Sequence, residues 1–126
     1  MILGIGIDVS RLDRVDEFLE RYGERFTRRI LTEHEQAYCM HVKNPGERVA
    51  GCIAVKEAAS KALGTGWRQG VHWKCFEVAH ERSGKPSLRI HGRAAELASQ
   101  LGVRGAHVSI THDAGVAAAV VIFEGE

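Results

Sequence analysis

Residues 55–66 of the chain read VKEAASKALGTG, and this stretch decides the fold that the sequence predicts. It completes a helical segment over 47–63, which ends at Gly64 in the usual C-terminal position. Glu57 and Lys61 are four residues apart and therefore lie on one face of that helix. The pair has two interpretations: an ion pair in solvent, or part of a site on a face bordered by small alanine side chains.

The segment Gly64-Thr65-Gly66, directly after the helix, has the backbone freedom that amides need to approach an anion closely. It lacks the spacing of a nucleotide-binding P-loop, and it follows its helix instead of preceding it. Taken alone, this segment is a weak signal for phosphate binding.

Upstream, residues 2–9 form a predicted strand of β-branched residues and glycines. Strand alternation places Asp8 on one face with Gly4 and Gly6, and places four apolar side chains on the other. Glycines in a strand often mark the close approach of a ligand or another backbone. Asp8 is therefore a candidate metal ligand, and the alternative is that it caps the helix that starts near Arg11.

The remaining segments predict an α+β fold. Helices are predicted over 11–29 with a break at Gly23 left open, over 33–41 and over 93–101, and strands over 73–80, 86–91, 107–112 and 116–123. The strands are arranged as hairpins, so we expect a mainly antiparallel sheet packed with the long helix. No repeat or linker divides the sequence, so residues 1–126 form one predicted domain.

The bulk composition disfavours several classes of protein. Hydrophobic residues make up 44% of the chain and charged residues 26%, which is typical of a globular domain. The net charge is +1, so no overall basic field would attract nucleic acid. The three cysteines are widely spaced, which argues against a disulfide framework or a structural zinc site. The apolar N-terminal run stops at Asp8, too short for a signal peptide or a membrane span, so we expect a cytoplasmic protein.

Basic side chains form a stripe on the predicted helix over 11–29. The stripe contains Arg14, Arg21, Arg25 and Arg28. On a continuous helix these side chains fall within about 60° of one another, beside a strip of acidic residues. A break at Gly23 would spoil this alignment. The stripe is either a solvated face with internal ion pairs or a docking surface for an acidic partner.

Five blocks of sequence together carry a resemblance to a known family. The blocks are GIGIDV at 4–9, RILT-x-x-E at 29–35, VKEAASKALGTG at 55–66, GKP at 84–86 and VSITH at 108–112. In content and order they resemble the short, single-domain holo-acyl-carrier-protein synthase branch of the 4'-phosphopantetheinyl transferases. They cover nearly the whole chain, and the third block is highly specific.

The resemblance implies the fold of that superfamily and transfer of 4'-phosphopantetheine from coenzyme A to a serine of an apo acyl carrier protein, with release of 3',5'-adenosine bisphosphate. It implies that Asp8 and Glu57 hold Mg²⁺, a metal usually bound by one or two carboxylates plus substrate phosphates. Lys61 would stabilise charge on the phosphates. The implied coenzyme A contacts are Lys43, Ser60, Lys61, Gly64, Thr65, Gly66, Pro86 and His112. Judged without the resemblance, His112 is more readily a structural histidine.

The resemblance also implies two kinds of protein partner. The docking surface for acyl carrier protein would consist of Arg14, Phe18, Arg21, Arg25 and Phe26. The short branch forms homotrimers with active sites between subunits, so we expect a homotrimer. The general base stays open between Glu35, Glu57 acting through a metal-bound water, and solvent.

Two positions depart from the family pattern. Cys52 and Asn44 stand where basic residues are expected, which removes positive charge from the expected phosphate and carrier surface. Cys52 is either a lost phosphate contact, which Cys52→Arg would restore, or a small buried thiol of the core. A non-catalytic homologue that binds coenzyme A or carrier protein is the alternative function. A nucleic-acid-binding domain is disfavoured by the near-zero net charge and the interleaved acidic residues.

Overall fold

The computed structural model describes residues 1–126, and its elements follow the predicted order. The helices are α1 (Leu12–Tyr22), α2 (Glu24–Ile30), α3 (Glu33–Met40), α4 (Pro45–Leu63) and α5 (Gly92–Leu101). The strands are β1 (Ile2–Arg11), β2 (Phe76–His80), β3 (Pro86–Ile90), β4 (Gly105–Asp113) and β5 (Val116–Glu124). A short 3-10 turn over Trp73–Cys75 precedes β2.

The strands form two antiparallel sheets. The larger sheet has the order β1-β5-β4, so the N-terminal strand pairs with the C-terminal strand. The smaller sheet is the β2-β3 hairpin. The prediction of an α+β fold with an antiparallel sheet against a long helix is confirmed.

The long helix α4 lies directly against β1, and two glycines make this close packing possible. A Cβ atom at Gly6 would collide with the carbonyl oxygen of Ala58, and one at Gly4 would collide with that of Ala62. The glycine face of β1 therefore packs against helix backbone. Asp8 lies on the same strand face, so its side chain points toward the C-terminal half of α4.

The first helical segment is broken at Gly23, which is one of the two possibilities that the sequence left open. Gly23 has φ 53° and ψ −127°, a conformation outside the helical region that glycine adopts without penalty from a Cβ atom. Arg14 and Arg21 consequently lie on α1, whereas Arg25 and Arg28 lie on α2. The prediction of one continuous arginine stripe, which required a single unbroken helix, is therefore wrong.

The other face of β1 carries the apolar side chains, and in the single chain it is open to solvent. Ile5, Ile7 and Val9 are 59%, 65% and 56% exposed. They lie beside Ile122, Val120 and Ala118 of β5 in the strand register. Contiguous exposed apolar surface of this kind commonly marks a protein–protein contact.

None of the helices combines the length and hydropathy that crossing a membrane requires.

Candidate active site

Asp8 and Lys61 meet where β1 crosses α4. The Nζ atom of Lys61 donates a hydrogen bond of 2.9 Å to Oδ1 of Asp8 and one of 3.1 Å to the carbonyl oxygen of Ile7. The Asp8 side chain is 12% exposed, and its Oδ2 atom is buried without a hydrogen-bond partner. A bare carboxylate oxygen in such a position is costly unless a proton or a cation joins it.

Glu57 lies one helical turn before Lys61 and completes this cluster. The pKa of Glu57 is raised to about 7, chiefly because the side chain is partly buried. The hydrogen bond to Asp8 and the negative charge of Asp8 raise this pKa further, whereas the positive charge of Lys61 lowers it. The pKa of Lys61 is raised, chiefly by its hydrogen bond to Asp8. When Asp8 and Glu57 are both ionised, Oδ2 of Asp8 has no hydrogen-bond donor, and a proton on Glu57 would join the two carboxylates by a hydrogen bond. The cluster therefore favours an added positive charge.

These residues fit a magnesium ion. Two adjacent carboxylates, one with an unused buried oxygen, supply the hard oxygen ligands that Mg²⁺ prefers. No group of three or more His, Cys, Asp or Glu side chains is arranged to hold a metal ion. Mg²⁺ typically keeps several waters and binds substrate phosphates in addition to one or two carboxylates, so a two-carboxylate set suits it.

A cleft of about 300 Å³ leads from Glu57 to the first two helices. Its lining includes Arg14, Phe18 and Phe26 together with Glu57 and Trp73. A second cleft of about 280 Å³ shares two of these residues; it is lined by Phe18, Tyr22, Arg25, Phe26 and Arg29. Of the predicted docking residues, Arg14, Phe18 and Phe26 therefore share a cleft with Glu57, Arg25 lines the adjoining cleft, and Arg21 lines neither.

Arg21 is paired within its own helix. Its guanidinium lies 3.7 Å from the carboxylate of Glu17, and both side chains are well exposed. On α2, Arg28 makes a similar exposed ion pair with Glu24 at 3.1 Å. Pairs of this kind contribute little to stability and leave both charges accessible to a partner.

The loop after α4 is committed to capping the helix. Gly64 adopts the left-handed conformation, and its amide donates to the carbonyl oxygen of Lys61. The amides of Thr65 and Gly66 both donate to the carbonyl oxygen of Ser60, whose hydroxyl in turn donates to the carbonyl oxygen of Glu57. These bonds place the loop one turn beyond Lys61. A phosphate contact through its amides stays a prediction.

The other predicted coenzyme A residues lie apart from the carboxylate pair. The Nε2 atom of His112 lies 3.0 Å from the carbonyl oxygen of Glu47, near the start of α4. The His112 ring also lies beside Gly51, which precedes Glu57 by six residues or about 9 Å along the helix axis. Lys43 is exposed in the connection before α4, and Pro86 begins β3. Within one chain, the predicted coenzyme A contacts therefore lie at several separate positions.

Glu35 is unsuited to be the general base, because its carboxylate is fully buried and already occupied. Its Oε1 atom lies 2.6 Å from Nζ of Lys56 and accepts a hydrogen bond from the amide of Thr32, and its Oε2 accepts one from the amide of Val78. Glu35 also completes the capping box at the start of α3. Its place in the family block therefore reflects a structural contact.

Cys52 belongs to the core. It is 2% exposed, and its Sγ atom lies 3.7 Å from Sγ of Cys39. An arginine at this position would overpack the interface between α3 and α4, so the hypothesis of a missing phosphate contact at Cys52 is wrong. Asn44, the other departure, is the exposed residue directly before α4 and makes no side-chain capping bond.

Comparison with known proteins identifies the family. The sequence model of the 4'-phosphopantetheinyl transferase superfamily matches residues 4–121. The chain is 50% identical over 124 residues to the holo-[acyl-carrier-protein] synthase of Solibacter usitatus, covering 98% of this chain and 99% of that protein. It is 48% identical to the enzyme of the same name from Vibrio cholerae, covering 98% of each.

Solved structures agree with these relatives. The holo-[acyl-carrier-protein] synthase of Neisseria meningitidis superposes with a TM-score of 0.89 at 31% identity, covering 98% of this chain and 99% of that one. The Bacillus anthracis synthase, crystallised with coenzyme A (3',5'-ADP), superposes with a TM-score of 0.82 at 37% identity, covering 100% and 99%.

Proposed function

The chain belongs to the holo-[acyl-carrier-protein] synthases of the 4'-phosphopantetheinyl transferase superfamily, and from that premise we propose how its residues carry out the transfer. A serine hydroxyl of an apo acyl carrier protein attacks the β-phosphate of coenzyme A. The phosphopantetheine is then joined to the serine, and 3',5'-adenosine bisphosphate leaves. The observation that carries this proposal is the cluster of Asp8, Glu57 and Lys61, whose Glu57 also lines a cleft shared with basic and aromatic side chains.

Asp8 and Glu57 are the residues that would hold Mg²⁺. The ion would neutralise negative charge on the pyrophosphate, which is the main requirement of phosphoryl transfer together with positioning. The unpartnered Oδ2 atom of Asp8 and the raised pKa of Glu57 support this assignment.

Lys61 supplies a second positive charge at the same place. Its ammonium is 55% exposed and reaches Asp8 from the helix surface, so it can also contact a phosphate that lies on the cluster. An ammonium acts there as a point charge that stabilises the phosphate oxygens. The serine proton passes to Glu57 or to solvent, since Glu35 has no access to the cleft.

The carrier protein docks where the two clefts meet on α1 and α2. Arg14 and Arg25 provide positive charge, and Phe18 and Phe26 provide apolar surface beside it. Their rings pack against each other with centroids 5.4 Å apart. This combination suits an acidic helix with an apolar ridge, and it directs the carrier serine toward Glu57. Exposed Arg21 strengthens the basic field from the edge.

Assembly as a homotrimer would complete the site. The open apolar face around Ile7 offers the subunit contact. His112 lies beside Glu47 and Gly51 in the first half of α4, whereas Glu57 lies in the second half, and this separation is explained if a neighbouring subunit supplies some of the coenzyme A contacts. Lys43 and Pro86 belong to the same set of contacts outside the carboxylate cluster.

The alternative is a homologue that binds coenzyme A or carrier protein without transfer. Release of 3',5'-adenosine bisphosphate distinguishes the two. We expect release to require apo carrier protein and Mg²⁺ together, and a carrier whose acceptor serine is replaced by alanine should give none. Binding of both substrates without release would favour the non-catalytic homologue.

A further inference from the structure

Lys56 directly precedes Glu57, yet its ammonium is fully buried. The side chain is 0% exposed, in contrast to the half-exposed Lys61. Its Nζ atom lies 2.6 Å from Oε1 of Glu35 and donates hydrogen bonds to the carbonyl oxygens of Ile30 at 2.7 Å and Trp73 at 3.1 Å. All three donors of the ammonium are therefore used inside the protein.

The two carbonyl groups belong to residues that line the Glu57 cleft. Ile30 is the last residue of α2, and Trp73 is the first of the 3-10 turn before β2. Glu35, on α3, accepts hydrogen bonds from the amides of Thr32 and Val78. The Lys56–Glu35 pair thereby joins α4 to α2, to α3, to the turn and to β2 at one buried point.

From these contacts we infer that Lys56 is a positioning residue for the transfer reaction: its ammonium holds the walls formed by Ile30 and Trp73 at a set distance from Glu57. This inference rests on the proposed function. Lys56 does not contact phosphate, because it is buried and has no free donor.

Geometry supports a role beyond stability. Lys56 and Glu57 are consecutive on α4, so they point about 100° apart, one into the Glu35 cluster and the other into the cleft. A displacement of α2 or of the turn relative to α4 would alter the cleft beside Glu57 directly. Small displacements of positioning groups lower turnover strongly, because catalysis needs the reacting groups held in place.

The test removes the buried pair as a whole, because Glu35→Gln alone would leave the buried ammonium without its carboxylate and would remove an acceptor from the amides of Thr32 or Val78. Glu35→Gln combined with Lys56→Met removes the contacts to Ile30 and Trp73. We expect at least a tenfold loss of kcat in this double variant, measured well below its melting temperature.

A second double variant guards against misfolding. Lys56→Leu with Glu35→Leu replaces the ion pair with apolar side chains, a change that proteins often tolerate at buried ion pairs. It should show the same loss of kcat. Phe123→Leu, a core substitution in β5, provides a destabilised control that should keep wild-type kcat. Wild-type kcat in either folded double variant would overturn the inference.

Hydrogen exchange gives a readout that needs no substrate. Amides around Ile30 and Trp73 should exchange at least tenfold faster in the double variants than in the Phe123→Leu control. Equal exchange in both would also overturn the inference. Absence of transfer by the wild-type protein would count against the proposed function, while the exchange comparison would still decide whether Lys56 holds the walls.

Discussion

Oδ1 of Asp8 lies 2.9 Å from the ammonium nitrogen of Lys61, although 53 residues separate them in the chain. The contact exists because β1 lies against the backbone of α4, with glycine at each point of closest approach. The metal-binding and phosphate-binding assignments both depend on this approach.

Gly6→Ala should therefore separate the two elements. The added Cβ would meet the carbonyl oxygen of Ala58, which is backbone and cannot rotate away. We expect a loss of at least about 2 kcal/mol in the free energy of unfolding and a strong loss of transfer. Gly105→Ala is the matched control, since its Cβ would meet nothing within 4 Å. Equal stability of the two variants by denaturant titration would contradict the close packing.

A pH-dependent difference in stability should identify Glu57. Its pKa is raised from 4.5 to about 7 in the folded chain, so its contribution to stability is fully present below about pH 4.5 and is lost as pH rises through 7. Glu57→Gln mimics the protonated form. In buffer with a metal chelator, this variant should match the wild-type melting temperature at pH 4 and exceed it at pH 8.

The control is Glu96→Gln on α5, which replaces an exposed carboxylate outside the site and should leave the melting temperature at pH 8 close to that of the wild type. Added Mg²⁺ at pH 8 should raise the melting temperature of the wild type more than that of Glu57→Gln. A constant difference between wild type and Glu57→Gln at both pH values would contradict the placement of this carboxylate.

Carrier docking should depend on charge at the clefts. Arg14→Glu should raise KM for carrier protein by roughly tenfold at low salt and weaken its salt dependence, with coenzyme A binding little changed. Arg21→Glu should act in the same direction but less, because Arg21 lies outside both clefts. Arg104→Glu, an exposed charge reversal just before β4, is the control. Unaltered carrier KM in both α1 variants across ionic strength would mean that these arginines are only solvated.

Oligomeric state should depend on the open face of β1. Light scattering should give three times the chain mass for the wild type. Ile7→Glu places a charge on the apolar face and should reduce this mass and the activity together. Leu101→Glu replaces a similarly exposed apolar side chain at the end of α5 and should leave the trimer intact. A fully active wild-type monomer at the assay concentration would refute the trimer.

Element boundaries were predictable because their signals are local. Glycine marks the helix ends at Gly64 and Gly102, and the residue types at 113–115 are typical of a turn. The glycine face of β1 likewise predicted a close approach before its partner was known. The meeting of Asp8 with Glu57 and Lys61 was different, since spacing alone left each residue a harmless alternative, and only the family resemblance joined them.

Burial of charged side chains was the part that sequence reasoning missed. Lys56 and Glu35 look like surface residues, because nothing local reveals that an ion pair between α3 and α4 is enclosed. For Cys52 the sequence left both a lost phosphate contact and a buried thiol open, because its contact with Cys39 depends on how two helices pack. The alternation of β1 predicted two faces, but only the tertiary structure shows that the isoleucine face is open.

The intact mass of an apo acyl carrier protein tests the central claim most directly. After incubation with coenzyme A, Mg²⁺ and the wild-type protein, the carrier should gain the mass of one phosphopantetheine at its acceptor serine. Asp8→Ala and Glu57→Ala should remain folded and give almost no product, whereas Glu96→Ala should react like the wild type. An unmodified carrier with the wild-type protein, or full modification by either active-site variant at saturating Mg²⁺, would contradict the account.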